Sequence, residues 1–193
     1  MQQQDEKEKQ KQNEKDLMPS IERVRNGETD AYGDIIAAFE KSIYLYALYL
    51  LRNRDEAEDA AQEIFIKAFR KIDQYQGGVF SSWLYKIAYH HCLDLLRKRK
   101  RIDKLLGRYI LQKKQDLPAH SAYEDEIYEM LNALNGEERQ ILLLRALEEY
   151  SYKEIGEILD MNPVTARKKY ARIRQKLLQK KEGTKNAKSA KLG

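Results

Sequence analysis

The chain has 193 residues, 35% of them charged, with three prolines, nine glycines and a formal net charge of +5. So few turn formers beside so much charge exclude a strand-rich domain and point to long helices. Cys92 is the only cysteine, which excludes a disulfide framework, and the longest apolar run, the nine residues from Ile43 to Leu51, falls far short of the roughly 20 that span a bilayer.

Residues 1–17 mix charges with almost no apolar content, so disorder is expected there. No signal-peptide pattern is visible, and the expected location is cytoplasmic. A first helical domain is expected over 18–101. In it Asp30 is expected to cap a helix on which Tyr32, Ile36, Phe39, Ile43, Tyr46 and Leu50 recur at helical spacing. Asp55 is expected to cap the next, with Ala57, Ala61, Ile64, Ala68 and Ile72 facing inward. The outer side of that helix carries Glu56, Asp59 and Glu63 at spacings of 3 and 4, bordered by Gln62. A solvated face accounts for this stripe. Beside Phe65 and Ile66, both expected to be exposed, it also suits a docking surface for a basic partner helix.

Gly77-Gly78 marks a loop over residues 73–79, after which Ser81 or Ser82 is expected to cap a third helix. Its apolar stripe is Leu84, Ile87, Ala88, His91 and Leu95, which makes His91 a hydrogen-bonded core histidine and Cys92 a small core residue. Lys86, His90, Asp94, Arg97 and Arg101 line the opposite side. Two readings fit that stripe, a solvated face and a path for a phosphate backbone. Tyr75, Phe80, Trp83, Tyr85 and Tyr89 beside these cations are the ingredients for holding unstacked bases, although Trp83 borders the apolar stripe and reads as core. His90 and Asp94 stand at i, i+4, but without an HExxH pattern or a cysteine cluster no metal or other cofactor is expected. The five consecutive cations Arg97–Arg101 form one basic patch.

Residues 102–120 lose the pattern and are expected to be a linker. A second helical domain is expected over 121–182, with Tyr123, Ile127, Leu131 and Leu134 on its first helix and Glu138–Leu147 as its second. Ser151-Tyr152-Lys153-Glu154 is a capping-box pattern, followed by Ile155, Ile158 and Leu159 on one face. Asp160-Met161-Asn162 makes a short break, and Pro163 suits the first turn of a new helix. On that helix Ala166, Tyr170, Ile173 and Leu177 form a buried stripe, while Arg167, Lys168, Ala171, Arg172 and Gln175 face the other way. This is the pattern of a helix-turn-helix with a basic second helix, as major-groove reading requires. The tail 183–193 is basic and expected to be disordered. The expected architecture is all-α: two small helical domains on a flexible linker, the second containing the helix-turn-helix. No grouping of nucleophile, base and orienter supports catalysis.

These residues together resemble the bacterial sigma-70 factors of the extracytoplasmic-function (ECF) group, over about 21–101 and 123–180. Asp55-Glu56-Ala57-Glu58-Asp59-Ala60-Ala61-Gln62-Glu63-Ile64-Phe65 is similar to the helix that binds core RNA polymerase. Phe80-Ser81-Ser82-Trp83-Leu84-Tyr85-Lys86-Ile87-Ala88, with Asp94 and the basic run, resembles the segment that melts the promoter and reads the minus-ten element. Tyr152–Leu159 and the helix after it resemble the minus-35 reader.

The resemblance implies that Asp59, Gln62, Glu63 and Phe65 meet core polymerase. It implies that Tyr75 and Gln76, in the loop over 75–79, hold a flipped base while Lys86, His90 and Arg97 line the strand path. It implies that Arg167, Lys168, Ala171 and Arg172 meet the minus-35 element, and that an anti-sigma factor is a further partner. The chain departs from the pattern at three places. His90 stands where many relatives carry Asn, Val164-Thr165-Ala166 replaces the usual Gly-Thr-Val, and Ala171 replaces a larger residue, so promoter preference does not carry over.

The leading rival is a stand-alone helix-turn-helix regulator that binds duplex DNA without polymerase. It has no use for the Asp59/Gln62/Glu63 face. An auxiliary protein that binds polymerase but reads no promoter, and a metal enzyme using His90 and Asp94, are the weaker alternatives.

Overall fold

The computed structural model describes residues 16–105, 127 and 129–189, which are helices and short connections with no strand among them. The chain divides into two units, Met1–Leu117 and Pro118–Gly193. Residues 1–15, most of the expected linker, Tyr123 and residues 190–193 lie outside the described residues. Among the described residues no helix is long and apolar enough to cross a membrane.

In the first unit α1 covers residues 16–25, α2 Tyr32–Leu51, α3 Arg54–Arg70 and α4 Phe80–Leu105. The last three pack on one another pairwise. Their shared core is Ile35, Ile43, Tyr46, Ala47 and Leu50 of α2, Ala57, Ala60, Ile64 and Ala68 of α3, and Leu84, Tyr85, Ala88 and Cys92 of α4, none more than 1% exposed. Each large side chain so buried contributes about 1.5–3 kcal/mol from the hydrophobic effect. On α2 the stripe is rotated from expectation, since Ile36 and Phe39 are half-buried and Ile35 and Ala47 fill the centre. Burial pushes the Cys92 thiol up to about 12, so it stays protonated and inert as a core residue.

In this unit the caps are not the residues the sequence suggested. Ala31, which offers no side-chain bond, stands at the N-cap of α2, and the Asp30 carboxylate instead accepts from Arg23 at 3.2 Å. Arg52 ends α2 in the left-handed region at φ 58°, which leaves Asn53 extended and placed to cap α3. Its side chain accepts from the Glu56 N–H at 2.9 Å. Asp55 lies inside the first turn, where its charge still favours the helix dipole. Helix α4 already starts at Phe80, so Ser82 is buried in its first turn rather than capping it. The same helix runs past Arg101 to Leu105, into the expected linker.

Arg99 closes the α2–α3 corner from α4. Its guanidinium donates to the Leu51 carbonyl at 3.0 Å and pairs with the Glu56 carboxylate. One cation thus satisfies a last carbonyl of α2 and an acid in the first turn of α3. This member of the basic patch is structural.

In the second unit α5 is described over residues 129–132, α6 is Gly136–Ala146, α7 Tyr152–Ile158 and α8 Pro163–Ser189. The core is Leu131, Leu134, Ile141, Leu144, Ile155, Ile158, Ala166 and Ile173, all at most 3% exposed. Helix α6 begins before Glu138 because Asn135 and Glu138 form a reciprocal capping box. The box predicted for α7 forms, with Ser151 N–H donating to Glu154 at 2.7 Å and Glu154 N–H to the Ser151 hydroxyl at 3.3 Å. Helix α8 continues to Ser189, through the segment from Gly183 whose composition suggested disorder.

His91 of α4 faces Lys67 of α3, with Nζ 2.6 Å from Nδ1, and it is half-buried as a core-side histidine should be. Burial, and then the Lys67 charge, hold its pKa below the ordinary value against the opposing pull of Glu63 and Asp94. The folded state therefore resists a proton that the unfolded chain takes up below about pH 6.5. Folding stability should be full above that pH and decline as the pH falls below it. Urea unfolding of the wild type and of His91→Gln between pH 5 and 7.5 should show this slope shrinking in the variant.

Candidate functional site

Three surfaces carry the chemistry, and each follows from which side of a helix the core has taken. On α3 the inner face buries Ala57, Ala60, Ala61, Ile64 and Ala68, so Asp59, Gln62, Glu63 and Ile66 must share the outer one. All four are exposed, Ile66 at 42%. None of Asp59, Gln62 and Glu63 is tied up in a salt bridge among the described residues. Glu56, the expected head of the stripe, is drawn off to Arg99.

Phe65 departs from expectation, being buried at 7% exposure. It lies one residue from Ile64 on the core side, and its carbonyl accepts from the Tyr32 hydroxyl at 2.6 Å. It supports the outer face from beneath and does not belong to it. Phe69, 37% exposed and edge-on to Tyr32 at 5.0 Å, is an apolar neighbour that the sequence reading passed over. Its signal was the spacing of three from Ile66.

The second surface is the connection between α3 and α4. Tyr75 is only 2% exposed. Its hydroxyl donates to the Gly78 carbonyl at 2.7 Å, and its ring packs against Phe80 at 5.2 Å and Trp83 at 5.7 Å. Gly77 and Gly78 both have φ of 92° with open space around them, so backbone conformation and not crowding selects glycine. Tyr75 therefore anchors the loop, while Gln76 and Val79 stand exposed on it. Beyond the loop, His90, Asp94, Arg97 and Arg101 line the exposed side of α4 and Lys86 is half-buried. Arg97 pairs with Asp94 at 3.5 Å, a weak surface contact that a phosphate can displace.

The third surface is on α8. Ala166 and Ile173 are buried, while Tyr170 and Leu177, expected in the same buried stripe, are half-buried. The cations of this helix are sorted by face. Lys169 pairs with Glu137, Lys176 with Glu138 at 2.9 Å, and Lys180 donates to the Glu129 carbonyl at 2.7 Å. Burial opposes ionisation of Glu138, but Lys176 and the Asn135 N–H outweigh it and keep the carboxyl below its ordinary value. Arg167, Lys168, Ala171 and Arg172 are exposed on the other side, the three cations free of salt bridges among the described residues.

The turn before α8 is tight. The Met161 N–H donates to the Gly156 carbonyl at 2.9 Å, Asp160 is left-handed at φ 51°, and Asn162 caps α8 by accepting from the Val164 N–H at 2.9 Å. Arg145 lies 5.2 Å over the Tyr152 ring and donates to the Tyr150 carbonyl at 3.0 Å, which holds α7 to the end of α6.

Comparison with known proteins matches two stretches of the chain to family models. "Sigma-70 region 2" covers residues 35–102, and "Sigma-70, region 4" covers 124–177. The chain is 31% identical to the ECF RNA polymerase sigma factor SigW of Bacillus subtilis, over 81% of this chain and 92% of that protein. It is 32% identical to the ECF sigma factor SigE of Mycolicibacterium smegmatis, over 82% of this chain and 68% of that one. Among solved structures, CnrH in complex with the cytosolic domain of CnrY shares the fold with a TM-score of 0.68 and 19% identity, over 89% of this chain and 98% of that one. The sigma factor RpoE of Bartonella quintana, solved with the anti-sigma factor NepR, has a TM-score of 0.66 and 21% identity, over 77% and 94%.

A Cβ on Gly156 would sit 2.6 Å from the Met161 carbonyl oxygen and 3.3 Å from Pro163. Backbone must then move, at a cost of about 1–3 kcal/mol for overpacking. Gly156→Ala should lower the thermal midpoint and speed hydrogen exchange in α7 and the first turns of α8, while α2–α4 exchange as before.

Proposed function

The chain belongs to the ECF group of sigma-70 factors, and we propose from that premise that it docks on core RNA polymerase through α3 and places promoter DNA on α4 and α8. The observation that carries the reading is the occurrence in one chain of an outer α3 face with exposed acids outside any salt bridge among the described residues and an α8 face with cations and no acid. A duplex-binding regulator needs the second and has no use for the first, which disfavours the stand-alone reading.

On α3, Asp59, Gln62 and Glu63 meet a basic helical element of polymerase, with Ile66 at the apolar end of the contact and Phe65 packed beneath. The loop over 75–79 receives an unpaired base, Gln76 reaching it from a backbone fixed by buried Tyr75. Lys86, His90 and Arg97 follow the displaced strand. Arg167, Lys168, Ala171 and Arg172 enter the major groove at the minus-35 element. Phosphate contacts set position while base edges set sequence. No covalent chemistry is involved. Binding energy from two duplex contacts, added to stacking and capture of the melted bases, shifts the closed promoter toward the open form.

This work belongs in the cytoplasm. The partners are core RNA polymerase, promoter DNA and an anti-sigma factor that covers one or both docking faces; the sigma factor RpoE solved with the anti-sigma factor NepR shares this fold.

The full chain should co-elute with core polymerase and start transcription at discrete sites on a genomic fragment library. Glu63→Arg, at an exposed position outside every salt bridge among the described residues, should abolish co-elution without changing the circular dichroism spectrum. Normal promoter-dependent transcription by that variant would remove the docking role. Lys168→Ala with Arg172→Ala should keep co-elution but cost roughly tenfold or more in promoter-directed initiation, given about 1–3 kcal/mol per lost base contact. Unchanged initiation would favour an auxiliary protein that reads no promoter.

A further inference from the structure

One side chain on the α8 face is given no contact by the resemblance and keeps half of its surface exposed. Val164 is the second residue of the helix and is 50% exposed. Its N–H donates to Asn162, so its backbone is fixed in the first turn. Its side chain points away from the core, which Ala166 and Ile173 approach from the other side. Positions 164, 167, 168 and 171 are spaced as one helical face, so Val164 extends the row of Arg167, Lys168 and Ala171 toward the helix N-terminus.

A β-branched residue there is poor for the helix and leaves apolar surface in water, so neither propensity nor folding accounts for it. The surroundings name the occupant. From Met161 to Lys181 the chain has no acid, so a polyanion is what this face attracts. The N-terminal residues of a recognition helix are those that reach base edges. The one apolar group a major groove offers is the thymine 5-methyl. Valine, stiff about χ1, presents its two methyls in a fixed direction and loses little freedom on contact.

We propose that Val164 reads a thymine methyl at the edge of the minus-35 element and so sets a promoter preference particular to this chain. The inference rests on the promoter-reading role proposed above and deepens it. The probe is the strongest promoter fragment recovered from the library, remade with each minus-35 thymine replaced singly by deoxyuridine, which removes only the methyl. Holoenzyme reconstituted with core polymerase is the protein.

One replacement should weaken wild-type binding by about three- to fivefold, the worth of one buried methyl group. The same replacement should have no effect on holoenzyme carrying Val164→Ala, whereas changes at the bases read by Arg167 or Arg172 weaken both proteins alike. Val164→Thr, which keeps the shape and one methyl, should retain part of the discrimination and guards against a folding artefact. Indifference of the wild type to every methyl would overturn the inference and leave the function standing. An equal loss in wild type and Val164→Ala would do the same, since it places the methyl contact elsewhere. Val164→Ala weakening every duplex equally would mean packing on sugar, and would also overturn it. A holoenzyme that selects no promoter at all would remove the function, and the inference with it.

Discussion

The apolar seam of α3 is the contact on which the first unit's functional surfaces depend. Ala57, Ala60, Ala61, Ile64 and Ala68 are all buried along it. Four of the five are alanines, and small side chains at a helix contact let the helices approach closely. A helix that commits these positions to the core has no freedom left about its own axis. Asp59, Gln62 and Glu63 are then obliged to face outward, where three polar groups need no buried partners. Arg99 reinforces the arrangement by joining the end of α2 to the start of α3. The acidic face of α3 and the exposed polar side of α4 are thereby held on one packed unit rather than on two independent patches.

The second unit solves a different problem, which is how to choose among many cations on one helix. Each Lys–Glu pair between α6 and α8 is a surface contact worth little to stability. What the pairs do is fix where Lys169 and Lys176 point, against Glu137 and Glu138. With those lysines engaged by α6, Arg167, Lys168 and Arg172 are left as exposed cations outside any salt bridge among the described residues. Glu138 joins the two tasks, because the same carboxylate completes the α6 capping box and receives Lys176. Initiation of α6 and orientation of a lysine on α8 are coupled through one group.

The aromatic residues around the α3–α4 connection show why composition alone does not separate a stacking platform from a core. Tyr75, Phe80 and Tyr85 are buried to within 2% of completely, and Trp83 is half-buried against them. They form a wedge from which Gln76, the two glycines and Val79 project. Under the proposed role this anchoring favours capture of an unstacked base, since ordering the loop's ends in advance reduces the entropy lost on binding.

Much of this molecule is decided by local rules. Helical periodicity placed the seam of α3, the buried stripe of α8 and the outward position of Arg167, Lys168 and Arg172, because each depends only on residues three and four apart along one helix. The Ser151/Glu154 capping box and the Pro163 start are equally local, and both were legible from the order of residues. Other features required the three-dimensional structure. Asn53 caps α3 in place of Asp55 because Arg52 turns left-handed at the end of α2, and a conformation at a helix junction is set by the two helices that meet there. Phe65 is buried, and Ile66 beside it is not, because the width of the core face depends on what packs against it. Arg99 is set apart within its run by lying beside the α2–α3 corner, and Val164 within its helix by an apolar side chain left half exposed. Contacts between residues far apart in the chain leave no periodic trace, which is why the sequence by itself determined the faces and the tertiary structure alone decided which groups on them are engaged.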